Sequence, residues 1–322
     1  MLVDLVNGCY SFLMNPKVSI IMPTMNRAHL LHRSIDSVLS QSFRDYEFII
    51  IDDGSTDNTK QVVEEYVKRD PRIQYIRYEK NQGIPTVRNR GIAEAQGAYI
   101  AWQDDDDEWL PGKLEKTVKK LDELPKEYGI VYHAFLRVQP NGKKMLFPPK
   151  WVEPKEGDLY KIFLKKNFLN PQAMIFRSEV LKNNGGLDPR YLVLGEYGWY
   201  PKLAKRYKFG YVSEVLLHVY YTPGSNSQNN TANANARLMF MKDNWEDLKR
   251  YKFIGYHYSV IGDLYVDDKK YWTAILYYMK AFLYELFHVT HLVKASFSLF
   301  GINYKLVRNY IRPLLPKKQF KI

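Results

Sequence analysis

Residues 99–110, YIAWQDDDDEWL, decide the fold of this chain. The apolar run from Tyr99 to Trp102 predicts a buried strand, and four consecutive aspartates follow it at residues 104–107. Ligands of open α/β sheets bind at the carboxyl ends of the strands. Carboxylates at such an edge suit Mg²⁺ or Mn²⁺, which would also offset the repulsion between adjacent anions. The alternative is a solvated acidic loop, but the apolar Trp109 and Leu110 that follow favour an anchored site.

The sequence before this stretch alternates between strand and helix patterns. Short apolar runs end at proline or acidic residues, and the segments between them carry apolar residues at helical spacing. The predicted strands are residues 17–23, 46–51, 72–76 and 99–102, and the predicted helices are 29–41, 56–68 and 85–96. This alternation predicts an α/β fold, with a mostly parallel sheet and helices on both faces. Asp52 and Asp53 end the second strand, so both acid clusters should meet at one edge and form a nucleotide site.

The patterns continue less regularly after residue 110. Strands are predicted at residues 130–135, 173–176 and 211–221, helices at 110–124, 177–183 and 195–205, and a hairpin turn at Asn141-Gly142. Residues 222–236 are polar and without periodicity, which predicts a mobile lid or a linker. From residue 237 onward the pattern is helical, so we expect an α-helical appendage at the C-terminal end.

Composition describes a globular protein, since 46% of the 322 residues are hydrophobic and 25% are charged. The single cysteine, Cys9, excludes a disulfide framework and a cysteine-based zinc site, and it fits a reducing cytoplasm. No run of about 18 apolar residues is present, so no transmembrane helix is predicted. Residues 1–16 hold Asp4 and no basic leader, so we expect an N-terminal extension and not a signal peptide.

The net charge of +12 is concentrated towards the C-terminal end. Residues 250–322 hold twelve Lys or Arg side chains against four acidic ones, which favours an anionic partner. Residues 286–316 alternate apolar and basic side chains, a pattern typical of a helix on an anionic membrane surface. We therefore predict a cytoplasmic protein that is peripheral on the inner face of the membrane. The alternatives are a helix packed on its own domain, a homo-oligomer contact and, least favoured, a nucleic acid.

Three segments carry a resemblance to a known family. They are VSIIMPTMNRAHLLHRSIDSVLSQSF at 18–43, YEFIIIDDGSTDNT at 46–59 and NQGIPTVRNRGIAEAQGAYIAWQDDDDEWLPGKLEK at 81–116. In this order and spacing they resemble the inverting glycosyltransferase family 2, which implies a Rossmann-like GT-A fold over residues 17–227. The expected organisation is an extension at 1–16, a glycosyltransferase domain at 17–236, with its nucleotide-binding half at 17–110 and its acceptor half and lid at 111–236, and a helical basic region at 237–322.

The resemblance assigns the first loops of the sheet to the nucleotide. Pro23, Thr24 and Asn26 would line the pocket for the base and the ribose. Asp53 would hold the base or the ribose, because a fixed carboxylate at a strand end accepts hydrogen bonds from ring N–H or hydroxyl groups. The alternative for Asp53 is a turn residue that caps the next helix.

The same resemblance assigns a second group of residues to the diphosphate and the metal. Arg88, in RNRG, would face the donor, since a guanidinium group matches diphosphate geometry; the alternative is a salt bridge to the acid cluster. Asp104, Asp105 and Asp106 would form the family's DxD element. Asp106 is the expected ligand of Mn²⁺ or Mg²⁺, with Asp104 and Asp105 at the nucleotide sugar. The cation would neutralise the leaving nucleotide.

Glu196, in Gly195-Glu196-Tyr197, occupies the place of the family's catalytic base. An inverting transfer needs a carboxylate there to remove the proton of the acceptor hydroxyl. The alternative is a glutamate that only complements the helix dipole.

This chain departs from the family pattern around Glu196. Most members carry an acidic residue two places after the base and an arginine six places after it, where this chain has Gly198 and Lys202. Pro201 falls inside the same helix and is expected to distort it. Tyr220 and Thr222 occupy the places of the family's Arg-x-His.

Together the motifs imply a metal-dependent inverting glycosyltransferase. It would move a sugar from a nucleotide-diphosphate sugar, with a UDP-sugar favoured, to a glycan or lipid-linked acceptor of the cell envelope. The alternative, for which Gly198 and Pro201 are the signs, is a non-catalytic module that binds a nucleotide sugar or a glycan. A nucleotidyltransferase is disfavoured because residues 22–27 lack the glycines of a phosphate loop.

Overall fold

The computed structural model describes residues 15–153, 155–191, 193, 195–222, 229–285 and 289–304, with the backbone alone at 195–197 and 289. The chain separates into two compact units, Met1–Gly224 and Ser225–Ile322. The described part of the first unit is a mixed α/β structure, and that of the second is helical.

One sheet organises the first unit. Its strands are β1 (Val18–Thr24), β2 (Tyr46–Asp52), β3 (Ile73–Arg77), β4 (Tyr99–Trp102), β5 (Glu108–Trp109), β6 (Tyr128–Val138), β7 (Lys144–Phe147), β8 (Met174–Arg177) and β9 (Lys208–Tyr220). Their order is β3-β2-β1-β4-β8-β6-β9-β5, with β7 paired to β6. Strands β3, β2, β1 and β4 run parallel. Beyond them, β8 is antiparallel to both neighbours, and β6 and β9 are parallel to each other. The predicted α/β class is confirmed.

Helices cover both faces of this sheet. In the first unit they are α1 (Ala28–Leu39), α2 (Thr59–Arg69), α3 (Ile84–Glu94), α4 (Lys113–Glu123), α5 (Tyr160–Lys165), α6 (Ser178–Lys182) and α7 (Gly195–Ala204). Successive strand residues point to opposite faces. Ile20 accordingly packs into one core with residues of α1, α2 and α4, and Ile21 packs into the other with residues of α3, α6 and α7. At Gly91 of α3 an added Cβ would lie 2.3 Å from Ile21 Cγ2, so this glycine lets α3 approach the sheet.

The parallel strands bring their loops together: β1 and β2 end at one level, and β4 ends three residues earlier in the register. In the register, Thr24 lies opposite Asp52, and Ile21 lies opposite Trp102. The Asp53 N–H donates to the Thr24 carbonyl at 2.9 Å. The loops after β1, β2 and β4 therefore share one edge, as the two acid-ended strands predicted.

The predicted hairpin turn at Asn141-Gly142 joins β6 to β7, with Gly142 at φ +77°. Helix α7 runs from Gly195 to Ala204 and continues through Pro201, and it buries Trp199, Tyr200 and Leu203.

The described part of the second unit consists of helices α8 (Asn230–Asp243), α9 (Trp245–Arg250), α10 (Ile254–Asp267), α11 (Tyr271–Tyr284) and α12 (Val289–Leu299). Helix α8 begins inside the polar stretch 222–236 and crosses residue 236, so the prediction of an irregular lid or linker is wrong for residues 230–236. The Asn229 side chain caps the helix by accepting the Ala232 N–H at 2.9 Å. Residues 223–228 and 305–316 lie outside the described residues. Among the described helices, none has both the length and the apolar character needed to cross a bilayer.

Candidate functional site

Three aspartates form a compact cluster after β4. One carboxylate oxygen each of Asp104, Asp106 and Asp107 lies within 4.8 Å of the other two. Asp104 and Asp106 are half-buried, and Asp107 is buried. Hard oxygen ligands at this spacing fit a divalent cation of the Mg²⁺ or Mn²⁺ type. The cluster contains Asp106, the predicted metal ligand, together with Asp107, for which no separate role was predicted.

Asp107 is held from two sides. The Gln172 amide donates to Asp107 Oδ2 at 2.5 Å, and the Tyr220 N–H donates to Oδ1 at 3.0 Å. Burial, together with the negative charges of Asp104 and Asp106, raises the pKa of Asp107 well above its usual range. A cation in the cluster would favour the ionised form of Asp107. The three carboxylates therefore fit a metal site by their charge as well as by their spacing.

Asp105 points to a different partner from its three neighbours. The Thr24 hydroxyl donates to Asp105 Oδ2 at 2.8 Å. Burial, and then the charge of Asp106, raises the pKa of Asp105 to about 7, against the lowering effect of Arg27. Asp105 lies outside the three-aspartate cluster, and its predicted contact with the nucleotide sugar stays a prediction.

Three arginines balance the charge of the cluster. Arg88 is buried, and its Nη2 lies 3.0 Å from Asp104 Oδ1, so the salt bridge considered as an alternative is present. Arg27 Nη1 lies 3.0 Å from an Asp106 oxygen. Arg33 donates to the Asp106 carbonyl and lies over the Tyr220 ring. Arg27 and Arg33 were not predicted from the sequence, although four adjacent anions require cations and both arginines follow β1 closely in the chain.

Asp53 holds the N-terminal end of α3 in place. Its two oxygens accept the N–H groups of Gln82 at 2.6 Å and Gly83 at 3.0 Å. Gly83 has φ +87° and immediately precedes α3. Asp53 is therefore not the cap of α2 that was considered as its alternative; it positions the helix that carries Arg88. Its predicted contact with base or ribose stays a prediction.

The loop after β1 is tied to the loop after β2. Asn26 has φ +53°, and its Oδ1 accepts the Thr56 N–H at 2.7 Å. Pro23 and Thr24 are the buried last residues of β1. The structure thus brings Pro23, Thr24, Asn26 and Asp53 to the same edge as the acid cluster.

The residues around Glu196 are closely packed. Glu196 lies in the first turn of α7, and its role as a base stays a prediction. A Cβ on Gly198 would lie 2.9 Å from the Tyr191 ring, so a side chain at this place requires the ring to shift. Lys202 Nζ donates to the Asn184 carbonyl at 2.6 Å.

Glu108, the acidic residue that directly follows the cluster, links the end of β9 to it. Glu108 Oε2 accepts a hydrogen bond from the Tyr220 hydroxyl at 2.7 Å and lies 3.2 Å from His218 Nδ1. Burial raises the pKa of Glu108, but the Tyr220 and His218 contacts outweigh it and lower that pKa overall. Tyr220 bonds to Asp107 through its backbone and to Glu108 through its side chain.

Comparisons with known proteins give a family match. A family model described as "Glycosyl transferase family 2" matches residues 19–185. An uncharacterized glycosyltransferase of Methanocaldococcus jannaschii is 30% identical over 84% of this chain and 87% of its own length.

Two bacterial relatives match over shorter segments. A Campylobacter jejuni protein named GalNAc(5)-diNAcBac-PP-undecaprenol beta-1,3-glucosyltransferase is 35% identical over 52% of this chain and 54% of its own. The putative colanic acid biosynthesis glycosyl transferase WcaA of Escherichia coli is 39% identical over 49% and 56%. The chain thus spans about half the length of these two relatives.

Solved structures share the fold. S. aureus TarS 1-349 in complex with UDP-GlcNAc superposes with a TM-score of 0.61 at 15% identity, over 94% of this chain and 93% of the other. The mannosyltransferase PcManGT from Pyrobaculum calidifontis, in complex with GDP-Man and Mn²⁺, gives 0.57 at 17% identity, over 92% and 88%. At these identities the likeness concerns the fold alone.

Proposed function

The chain belongs to glycosyltransferase family 2, and on that premise we propose that it is a metal-dependent inverting glycosyltransferase. It would transfer a sugar from a nucleotide-diphosphate sugar, with a UDP-sugar as the favoured donor, to a glycan or lipid-linked acceptor of the cell envelope. The observation that carries this proposal is the cluster of Asp104, Asp106 and Asp107, set among arginines at the edge where the parallel strands end.

On the donor side, Asp104, Asp106 and Asp107 would hold Mn²⁺ or Mg²⁺. When bound, the cation supplies charge that stabilises the departing nucleoside diphosphate. Arg27 and Arg88 are already directed at the cluster, and their guanidinium groups match phosphate oxygens. Pro23, Thr24, Asn26 and Asp53 would form the wall that takes the base and the ribose.

On the acceptor side, Glu196 would act as the general base. Its carboxylate would take the proton of the acceptor hydroxyl as that oxygen attacks the anomeric carbon from the face opposite the diphosphate. The bond from the anomeric carbon to the diphosphate oxygen breaks in the same step, which inverts the configuration. A positioned base of this kind contributes roughly 10²–10⁴-fold to the rate.

The lipid-linked acceptor has support from two sources. The name of the Campylobacter jejuni relative refers to an undecaprenol-linked glycan. The basic C-terminal region of this chain would hold it on the anionic inner face of a membrane, within reach of an acceptor carried by a lipid. Removing the second unit, Ser225–Ile322, should then abolish binding to anionic vesicles.

A second candidate is a non-catalytic module that binds the nucleotide sugar. Gly198 and Lys202, at places where the family carries an acidic residue and an arginine, favour it. Gly198 has no side chain to offer an acceptor, and the Lys202 ammonium already donates to the Asn184 carbonyl.

Thermal unfolding with nucleotides tests the donor site. The protein would be heated with UDP, GDP, CDP and dTDP, each with and without Mn²⁺. A ligand at about 100 times its dissociation constant adds roughly 2.7 kcal/mol, a measurable shift in Tm. We expect a Mn²⁺-dependent shift with one nucleotide and its loss in Asp106→Asn, whereas Glu179→Gln, an exposed carboxylate on α6, should keep it. No shift with any nucleotide would refute the donor site.

Turnover then separates the two candidates. Glu196→Gln should lose roughly 10²–10⁴-fold of the transfer rate and keep the nucleotide-dependent shift. Unchanged turnover in this variant would remove Glu196 from the mechanism. Donor binding without transfer to any envelope glycan would favour the binding module.

A further inference from the structure

Helix α11 is apolar on two opposite faces. Its inner face is buried through Ala274, Tyr278 and Ala281. The Tyr278 hydroxyl donates to Asp263 of α10 at 2.8 Å, which fixes this face inward. A helix that is apolar all round is normally covered on every side, by protein or by lipid.

The outer face of α11 is exposed. Trp272 is 77% exposed, Leu276 64%, Met279 39% and Leu283 64%. Their spacing of four, three and four residues places them in one stripe along the helix. After α12, Phe300 is 79% exposed. Contiguous exposed apolar surface of this kind marks a binding surface.

Lysines flank this stripe. Lys269, Lys270 and Lys280 are exposed beside it, and α11 contains no acidic residue. Asp267 and Asp268 precede these lysines in the chain, and Glu285 follows α11. Glu285 Oε2 lies 2.5 Å from His291 Nε2, so this carboxylate already has a partner within the second unit.

A cavity opens at the start of the stripe. It has a volume of about 360 Å³ and is lined by Lys269, Lys270, Trp272, Ser298, Leu299 and Gly301, among others. Lys270 Nζ donates to Thr231 at 2.8 Å and lies 3.9 Å from an Asp268 oxygen, whereas Lys269 makes no ion pair within the described residues. The cavity thus combines ammonium groups with an apolar rim, which suits a phosphate attached to a hydrocarbon chain.

We propose that this surface of α11 and the end of α12, which we call the docking face (Trp272, Leu276, Met279, Leu283 and Phe300 with Lys269, Lys270 and Lys280), seats the protein on a bilayer of anionic lipids. The apolar stripe enters the boundary between headgroups and acyl chains, and the cavity beside Lys269 takes a lipid phosphate. This proposal rests on the proposed transfer to a lipid-linked acceptor, and it names the surface through which the protein would contact the membrane.

The geometry favours lying on the bilayer over crossing it. Helix α11 has 14 residues, about 21 Å at 1.5 Å per residue, whereas the hydrocarbon core is about 30 Å thick. Tryptophan and lysine beside an apolar stripe are typical of interfacial helices. A second copy of the chain fits less well, because a symmetric contact would bring the same lysines together, and lysine is depleted at protein interfaces.

Cosedimentation of the full chain with vesicles tests the proposal. The vesicles would contain phosphatidylcholine, alone or with phosphatidylglycerol. The double variant Leu276→Ser with Leu283→Ser should bind phosphatidylglycerol vesicles at least about tenfold more weakly, since each leucine loses its burial in lipid. The matched control is Leu146→Ser, which removes a leucine that is 58% exposed in the first unit and should change nothing.

Charge is tested separately with Lys269→Glu combined with Lys280→Glu. This variant should weaken binding to phosphatidylglycerol vesicles and not to phosphatidylcholine alone, and added salt should reduce the difference. Trp272→Ser provides an independent single change at an exposed position, with the same expected direction as the leucine pair.

Two outcomes would overturn the proposal. One is unchanged vesicle binding in the leucine and tryptophan variants. The other is a dimer, seen by analytical ultracentrifugation, that the leucine pair converts to a monomer without changing vesicle binding. The nucleotide-dependent Tm shift, measured in the same variants, should stay as in the wild type. If the wild type lacks that shift but binds vesicles through the docking face, the donor site fails and the docking face stands.

Discussion

Asp105→Asn tests how the acid cluster tolerates its own charge. The pKa of Asp105 is raised from 3.8 to about 7, chiefly by burial. Between these pH values the folded protein retains a proton that the unfolded chain has released, so this group makes stability fall as the pH rises through the window. At about 1.36 kcal/mol per pH unit, the ionised carboxylate costs at most about 4 kcal/mol above pH 7.

The variant removes this cost and keeps the local structure. In the wild type the Thr24 hydroxyl oxygen lies 2.8 Å from Asp105 Oδ2. The oxygen of an asparagine side chain can still accept this hydrogen bond, but the side chain cannot ionise. We therefore expect Asp105→Asn to match the wild type near about pH 4 and to exceed it above pH 7, by up to about 4 kcal/mol. The measurement is urea unfolding with a chelator present, at a series of pH values.

The control is Glu179→Gln, an exposed carboxylate of the same unit, which should show the wild-type dependence on pH. The reasoning is refuted if the stability difference between Asp105→Asn and the wild type is the same at low and high pH. That result would mean that Asp105 is ionised throughout, and that the Arg27 charge outweighs its burial.

Three further changes probe the site and its support. Gln172→Leu removes the donor to Asp107 and should weaken Mn²⁺ binding by roughly 10–100-fold, measured by titration calorimetry; unchanged affinity would show that the Gln172 hydrogen bond does not support a metal ligand. Gly198→Glu should destabilise the protein by about 1–3 kcal/mol in urea, because its Cβ would approach the Tyr191 ring; a stable variant would show that the ring moves aside. Arg88→Met leaves a cluster carboxylate without its buried partner and should cost about 3 kcal/mol, whereas a neutral result would show that solvent replaces the arginine.

The parallel half of the sheet could be predicted because its signals are local. The apolar runs before Asp52 and Asp104 are long enough to specify strands, and parallel strands must end at one edge. The meeting of the two acid clusters at that edge could therefore be predicted without knowing any contact between residues distant in the chain.

The side-chain partners within the site could not be predicted in the same way. Periodicity ends with β4, so the sequence does not show that Asp105 points to Thr24 while Asp107 joins the metal-capable cluster. Arg27 and Arg33 reach the cluster from 79 and 73 residues away in the chain, and no local pattern reports such contacts.

Helix α8 escaped prediction for another reason. Its first residues are Asn, Thr and Ala in a polar stretch, so hydrophobic periodicity is absent. The start signal is Asn229 as a cap, and asparagine is equally common in loops.

The pairs that Arg27 and Arg88 make with the acid cluster have a thermodynamic consequence. In the free protein these guanidinium groups occupy the carboxylates that the proposed divalent ion would use, so its uptake would exchange one positive charge for another. A diphosphate would draw the same arginines towards its own oxygens and vacate the aspartates. Each ligand would thus raise the affinity for the other, and thermodynamic linkage requires that the two affinities change by the same factor. We expect metal and nucleotide to bind with positive cooperativity, each weakly alone.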